Sequence, residues 1–178
     1  MLGLIVYFFG LALCFILIVF AWSMIVFSFF GPPAVPTPSK IIKEVLKEIS
    51  PQKDDFFIDL GSGTGRVVKT VVREYGVKGL GVEINPLFVW WARLTAKLGG
   101  LKNIEFKREN FFKTDFAKAD IVFMYLLPKY LSKMAEKIEK EGKTGTIVVS
   151  QRFWIDGWEK YLIKEIKRKH NSTYTYQI

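Results

Sequence analysis

The chain has 178 residues, half of them hydrophobic, and its 26 Lys and Arg outweigh 17 Asp and Glu to give a formal net charge of +9. A single cysteine, Cys14, and a single histidine, His170, exclude an internal disulfide framework and leave no Cys/His set for a zinc or iron centre. The cationic balance points to an acidic partner (nucleic acid, an anionic lipid surface or an acidic protein) or to a plainly solvated surface, and the scattered Lys129, Lys133, Lys137, Lys140 and Lys143 leave both open.

The charge is not evenly spread. Leu2 to Phe30 carries none, and every Lys, Arg, Asp and Glu lies at or beyond Lys40. As a helix that apolar stretch would run about 43 Å, more than the roughly 30 Å of bilayer hydrocarbon. It can span with tilt, or with Phe27, Phe29 and Phe30 in the interface. A cleaved signal peptide fits less well: no Lys or Arg precedes the run, the run is long, and no A-x-A site follows. Residues 1–30 are therefore expected to form a single-pass anchor. Lys40, Lys43 and Lys47 close behind it put the rest of the chain on the cytoplasmic side by the positive-inside bias.

Residues 31–39, with Pro32, Pro33, Pro36 and Pro38, read as an extended connector. The remaining residues, 40–178, are near the common size of one domain. Ser39 is expected to cap a helix over Lys40 to Ile49, with Ile41, Ile42, Val45, Leu46 and Ile49 on one face. Strands and helices then alternate. Phe56 to Leu60 reads as a buried strand, Thr64 to Tyr75 as a helix, and Gly79 to Glu83 as a second strand. Pro86 opens an aromatic-rich helix ending near Gly99 and Gly100. Asn103 to Lys107 and Asp120 to Leu127 are further strands, Pro128 to Lys140 a helix, and Gly145 to Gln151 a fifth strand. Tyr161 to Ile166 and Thr173 to Ile178 suggest a closing hairpin around Asn171 and Ser172. Such alternation implies a mostly parallel sheet with right-handed crossovers.

The chemistry concentrates in Asp59-Leu60-Gly61-Ser62-Gly63-Thr64-Gly65-Arg66, which follows one strand and opens a helix. Glycines there permit positive φ and close backbone approach to a ligand, whose anionic group can meet the helix N-terminus. Glu83 ends the next strand, where a carboxylate can accept from both hydroxyls of a ribose. A nicotinamide fingerprint, G-x-G-x-x-G, needs a third glycine or alanine where Arg66 stands. The order found is G-x-G-x-G, preceded by Asp59.

That pattern resembles motif I of the class I, seven-strand S-adenosylmethionine-dependent methyltransferases. Val35-Pro36-Thr37-Pro38, Gly81 to Pro86, Asn110-Phe111-Phe112 and Val148 to Phe153 narrow the resemblance. They are similar to the small archaeal protein-lysine methyltransferases and their membrane-anchored mitochondrial relatives, which modify lysines of an inner-membrane nucleotide carrier and of ATP synthase. The resemblance implies an α/β fold: a Rossmann-like, doubly wound, mostly parallel seven-stranded sheet ending in an antiparallel hairpin, here with one N-terminal transmembrane helix. It implies S-adenosylmethionine as cofactor and a protein lysine as acceptor; no metal is expected, given the single Cys and His.

By position, Asp59, Gly61, Ser62, Gly63 and Gly65 would cradle the methionine end with Thr37 covering it. Glu83 would bind ribose with Asn85 beside it, and Asn110 and Phe111 would hold adenine. Thr37 reads equally as a turn residue, and Phe111 as core. The acceptor is expected at the ends of strands four and five. Met124-Tyr125-Leu126-Leu127-Pro128 lacks the acid-or-Asn, Pro-Pro, aromatic pattern of enzymes acting on nucleobase amines. For a lysine, an apolar channel that favours the neutral amine suffices. Tyr125, Phe153 and Trp154 are the candidates for the catalytic side, with Trp158 as a further lining residue. An RNA or small-molecule methyltransferase, and a non-catalytic cofactor-binding membrane module, remain alternatives.

Overall fold

A computed structural model describes residues 2–30, 35–169 and 171–178. Residues 31–34 of the connector, His170, and the side chains of Phe27, Phe29 and Phe30 lie outside the described residues. By packing, the chain divides into Met1–Val35 and Pro36–Ile178. The first unit is one helix, α1 (Leu2–Phe30), whose Gly3–Trp22 stretch is long and apolar enough to cross a membrane.

In the second unit, α2 (Ser39–Ile49) precedes strand β1 (Phe56–Leu60). There follow α3 (Arg66–Tyr75), β2 (Lys78–Glu83), α4 (Pro86–Leu98) and β3 (Ile104–Arg108). Next come β4 (Ile121–Met124), α5 (Pro128–Glu141), β5 (Ile147–Gln151), β6 (Leu162–Ile166) and β7 (Thr173–Gln177). The sheet order is β3-β2-β1-β4-β5-β7-β6, with β1 to β5 parallel and β7 antiparallel to both β5 and β6.

Side-chain alternation along the strands builds two cores. Phe57, Phe106, Ile121, Phe123 and Val149 face α2, α3 and α4. Their partners Ile42, Val45, Leu46, Val68, Val71, Val89 and Ala92 recur at helical spacing. Ile58, Leu60, Val82, Val122, Met124 and Val148 face the other way, onto Leu131, Met134, Ala135 and Ile138 of α5. Each of the larger apolar side chains removed from water contributes about 1.5–3 kcal/mol.

Element ends depart from expectation where local chemistry decides. Pro38, not Ser39, is the N-cap of α2, and no side chain caps that end; Ser39 is already helical. The Gly turn delays α3 to Arg66. β4 stops at Met124, which leaves Tyr125 to Leu127 in the loop before Pro128 opens α5. Asp120 stays outside β4, where its Oδ2 accepts from the Phe56 N–H at 2.8 Å.

Trp158, expected as a lining residue, is core instead: it is buried edge-on against Tyr161 and Tyr176. Apolar ring area inside a thin hairpin layer is worth more there than at an open rim.

Candidate active site

β1 pairs with β2 on one side and β4 on the other, so the chain after β1 and the chain after β4 leave the sheet toward opposite faces. A crevice at the carboxyl ends of the strands belongs at such a switch point. The glycine turn sits there. The N–H groups of Gly61 and Ser62 both donate to the Val82 carbonyl, at 2.9 and 3.0 Å, which ties the turn to β2.

Two of its glycines do different work. Gly65 has φ 75°, and a Cβ there would lie 2.5 Å from Phe106 Cζ, so bare backbone is needed to seat α3 against β3. Gly63 has φ 53°, and a Cβ there would meet nothing within 4 Å: it borders open space. Phe106, not singled out from the sequence, is the residue the turn is built on. It also passes over Gly81, where a Cβ would sit 2.6 Å from its ring. The paired glycines Gly79 and Gly81 on one face of β2 were the available signal.

Asp59 is 3 % exposed on β1. The Val68 amide, in the first turn of α3, donates to its carboxyl group, while Oδ2 has no partner among the described residues. Burial, and secondarily the negative Glu83, push its pKa up to about 7 from the usual 3.8, against the pull of that amide. Glu83 is held on both oxygens: Oε2 accepts from the Gly63 N–H at 2.9 Å and Oε1 from the Asn85 N–H at 2.8 Å. Each oxygen keeps a lone pair for a hydroxyl donor. Asn85 is the N-cap of α4, with Oδ1 accepting from the Leu87 N–H at 2.9 Å. Its buried Nδ2 has no partner, nor has the buried Ser62 Oγ.

These atoms fit the methionine end of S-adenosylmethionine. An orphaned buried carboxylate suits an α-ammonium, and an orphaned hydroxyl and amide suit its polar flanks.

Thr37 is buried before α2, and its carbonyl accepts from Arg66 Nη1 at 3.4 Å, linking the connector's end to the turn. Asn110 caps the short turn Phe111–Lys113, accepting from the Phe112 N–H at 3.0 Å. Phe111 is half-buried against Phe112 and Tyr130, with ring centres 4.8 and 5.7 Å away.

At the ends of β4 and β5, Arg152 joins two of the three candidate acceptor residues. Its Nη1 lies 3.4 Å from Tyr125 Oη, and its guanidinium stands 5.5 Å over the Phe153 ring. Arg152 adopts φ 78°, costly for a residue with a Cβ, and its N–H donates to the Ser172 carbonyl at 2.7 Å. Trp154 goes elsewhere, packing edge-on against Tyr174 and Tyr176 of β7 at 5.3 and 6.1 Å. Beneath, the buried Gln151 accepts from Thr173 Oγ1 at 2.7 Å, and Arg168 links that hydroxyl to Glu44 of α2. Among the described residues, no group of three or more His, Cys, Asp or Glu is placed to hold a metal ion.

Comparison with known proteins identifies the family and the fold. Residues 59–161 match the ANTKMT methyltransferase domain. A protein-lysine N-methyltransferase of Saccharolobus islandicus is 37% identical over 150 residues, 82% of this chain and 93% of that protein. An ATP synthase lysine N-methyltransferase of Mus musculus is 30% identical over 127 residues, 71% of this chain but 51% of the mouse enzyme, so the chain spans about half its length. Among solved structures, an RNA methyltransferase from Salinibacter ruber in complex with S-adenosylhomocysteine superposes with a TM-score of 0.77 at 32% identity. The match covers 81% of this chain and 94% of that one.

Proposed function

The chain belongs to the ANTKMT methyltransferase family and is an S-adenosylmethionine-dependent methyltransferase, and on that premise we propose that it is a membrane-anchored protein-lysine N-methyltransferase. The observation that carries the acceptor assignment is the rim at the end of β4. Tyr125-Leu126-Leu127-Pro128 offers neither carboxylate nor amide to hold a nucleobase edge, and beside it stand the Arg152 guanidinium and the Phe153 ring. The archaeal likeness, over nearly the whole of its partner, supports the same acceptor.

When bound, S-adenosylmethionine supplies a methyl group on a sulfonium, open to in-line displacement by a neutral amine. Asp59 takes the α-ammonium and Glu83 the ribose hydroxyls. Thr37, Ser62 and the side-chain-free backbone of Gly61, Gly63 and Gly65 line the amino-acid end, with Asn85 at their flank. Asn110 and Phe111 flank the adenine. Tyr125 and Phe153, held through Arg152, line the approach of the lysine, with Trp154 fixing the loop behind them. Alignment of the two reactants supplies much of the acceleration. Desolvation beside the aromatic ring and the nearby Arg152 cation both lower the pKa of the incoming amine and so raise its reactive fraction.

On this reading α1 is the anchor, and Lys40, Lys43 and Lys47 favour the cytoplasmic side for the enzyme domain by the positive-inside bias. A membrane protein is then the nearest source of lysines. A second reading, methylation of RNA, is favoured by the Salinibacter likeness and the charge of +9. Full-length enzyme incubated with methyl-tritiated cofactor, a membrane extract and total RNA separates the two. Label is expected as methyl-lysine after acid hydrolysis of the protein fraction. Label in RNA nucleosides, with none in protein, overturns the lysine reading.

A further inference from the structure

The outer surface of the α2–α3–α4 layer is unlike the rest of the domain. On α2, Lys40, Lys43 and Lys47 recur at i, i+3, i+7 on the exposed side, opposite the buried Ile41, Ile42, Val45 and Leu46. The two acids of that helix are turned to the C-terminal hairpin: Glu44 pairs with Arg168 at 2.9 Å and Glu48 with Lys164 at 3.3 Å. Arg66, Lys69 and Arg73 repeat the spacing on α3, where Glu74 is the one acid. Lys69 Nζ donates to Thr95 Oγ1 at 2.7 Å, joining α3 to α4. Burial, Arg73 and Arg66 all hold the Lys69 pKa below its ordinary value, as expected where cations gather.

α4 carries the second, independent feature. Its core face is Val89, Ala92 and Ala96. Its opposite side is apolar too: Leu98 is 78 % exposed, Trp90 60 % and Trp91 48 %, with the half-buried Leu87 and Leu94 completing the stripe. A helix apolar on two opposed faces needs a second apolar medium. Tryptophans beside a basic field suit the bilayer interface, whereas leucines offer an RNA nothing. Only residues 31–38 separate α2 from the apolar α1, a contour of at most about 28 Å.

We propose that this face lies on an anionic bilayer surface, with the α4 stripe in the interface and the α2 and α3 cations over lipid phosphates. The inference rests on the membrane reading above and deepens it. Resting on the helix layer leaves the carboxyl ends of the strands free at the edge of the contact, open to a lysine near the membrane surface.

The test uses the full chain in lipid nanodiscs whose phosphatidylcholine is brominated in its acyl chains, with or without phosphatidylglycerol. Tryptophan quenching is compared among wild type, W22F, W90F/W91F and K40E/K43E/K47E. The Trp22 component reports on α1 in both lipids, independently of docking. A Trp90/Trp91 component is expected only with phosphatidylglycerol, and it should fall about threefold or more in K40E/K43E/K47E. The proposal is overturned if W90F/W91F removes no quenching, or removes as much without phosphatidylglycerol as with it. A missing Trp90/Trp91 component, together with binding of a polyuridine oligonucleotide that needs the same lysines, overturns it in favour of RNA. Loss of the Trp22 component alone overturns the anchor and leaves the docking result standing.

Discussion

Around the glycine turn, Asp59 Oδ2, Ser62 Oγ and Asn85 Nδ2 are buried without hydrogen-bond partners among the described residues. At the far side of the sheet, the buried side chains of Ser150, Gln151, Thr146 and Thr173 are all hydrogen-bonded within the chain. A buried polar atom left unpaired costs about 1–3 kcal/mol, so a fold keeps such atoms where something else completes them. The β1–β3 half is shaped to be finished by a polar ligand. In the β4–β7 half the one such atom among the described residues, Arg168 Nη2, is ion-paired with Glu44 at 2.9 Å, and the proposed acceptor route past Tyr125, Phe153 and Arg152 would rest on access rather than on waiting hydrogen bonds.

Variants on the two sides should therefore differ in kind. The largest effect is expected from Gly63→Arg. Its Cβ meets no atom, so the cost to folding should be only the strain of a side chain at φ 53°, about 1–2 kcal/mol, while the side chain fills the space a ligand needs and cofactor affinity should fall about 100-fold or more. Calorimetry paired with a melting curve checks both; a collapsed melting curve would make Gly63 a folding residue like Gly65.

Next comes Asp59→Asn, expected to weaken cofactor binding by about 2–3 kcal/mol through loss of a charged partner. Its pH signature is specific. The folded pKa of about 7 lies above the ordinary 3.8, so the folded chain holds the proton more tightly than the unfolded one. Stability of the ligand-free protein must then fall as pH rises through that window and level off above it. Cofactor affinity runs the other way, rising to about pH 7, because the ammonium pairs with the ionised carboxylate. Denaturant unfolding and binding titrations across this range should show both slopes in wild type and neither in Asp59→Asn.

Glu83→Ala should cost about 1–3 kcal/mol of cofactor affinity, since it removes the ribose acceptor and frees the amides of Gly63 and Asn85. The smallest effect belongs to the acceptor side. Tyr125→Phe removes only a hydroxyl 3.4 Å from Arg152, so cofactor affinity should stay constant while kcat/KM for the protein acceptor drops about tenfold or less. A change in cofactor affinity in Tyr125→Phe would erase the distinction between the halves.

The same division marks how much the sequence reveals. Strand, glycine turn, helix, strand and Glu83 form one contiguous run, and each step has a local cause, from apolar alternation to glycine φ. That run was legible, as were the seven strands and the closing hairpin. What local pattern does not carry is which distant side chain completes a contact. Phe106 lies far along the chain from Gly65 and reads as an ordinary strand residue until β3 is set beside β2. Trp154 and Trp158 have the composition of a binding rim, yet β7 brings Tyr174 and Tyr176 under them. The positive φ of Arg152 follows from its bond to Ser172, across a hairpin whose register only the folded sheet defines.

The central claim is that Asp59 is a buried carboxyl group kept for the cofactor's ammonium. Calorimetric titration of S-adenosylhomocysteine at about pH 6.5, in two buffers of different ionisation enthalpy, counts the protons exchanged on binding. Wild type should release about half to three-quarters of a proton, and Asp59→Asn none. Binding with no proton release in wild type, or equal release in Asp59→Asn, would contradict the account.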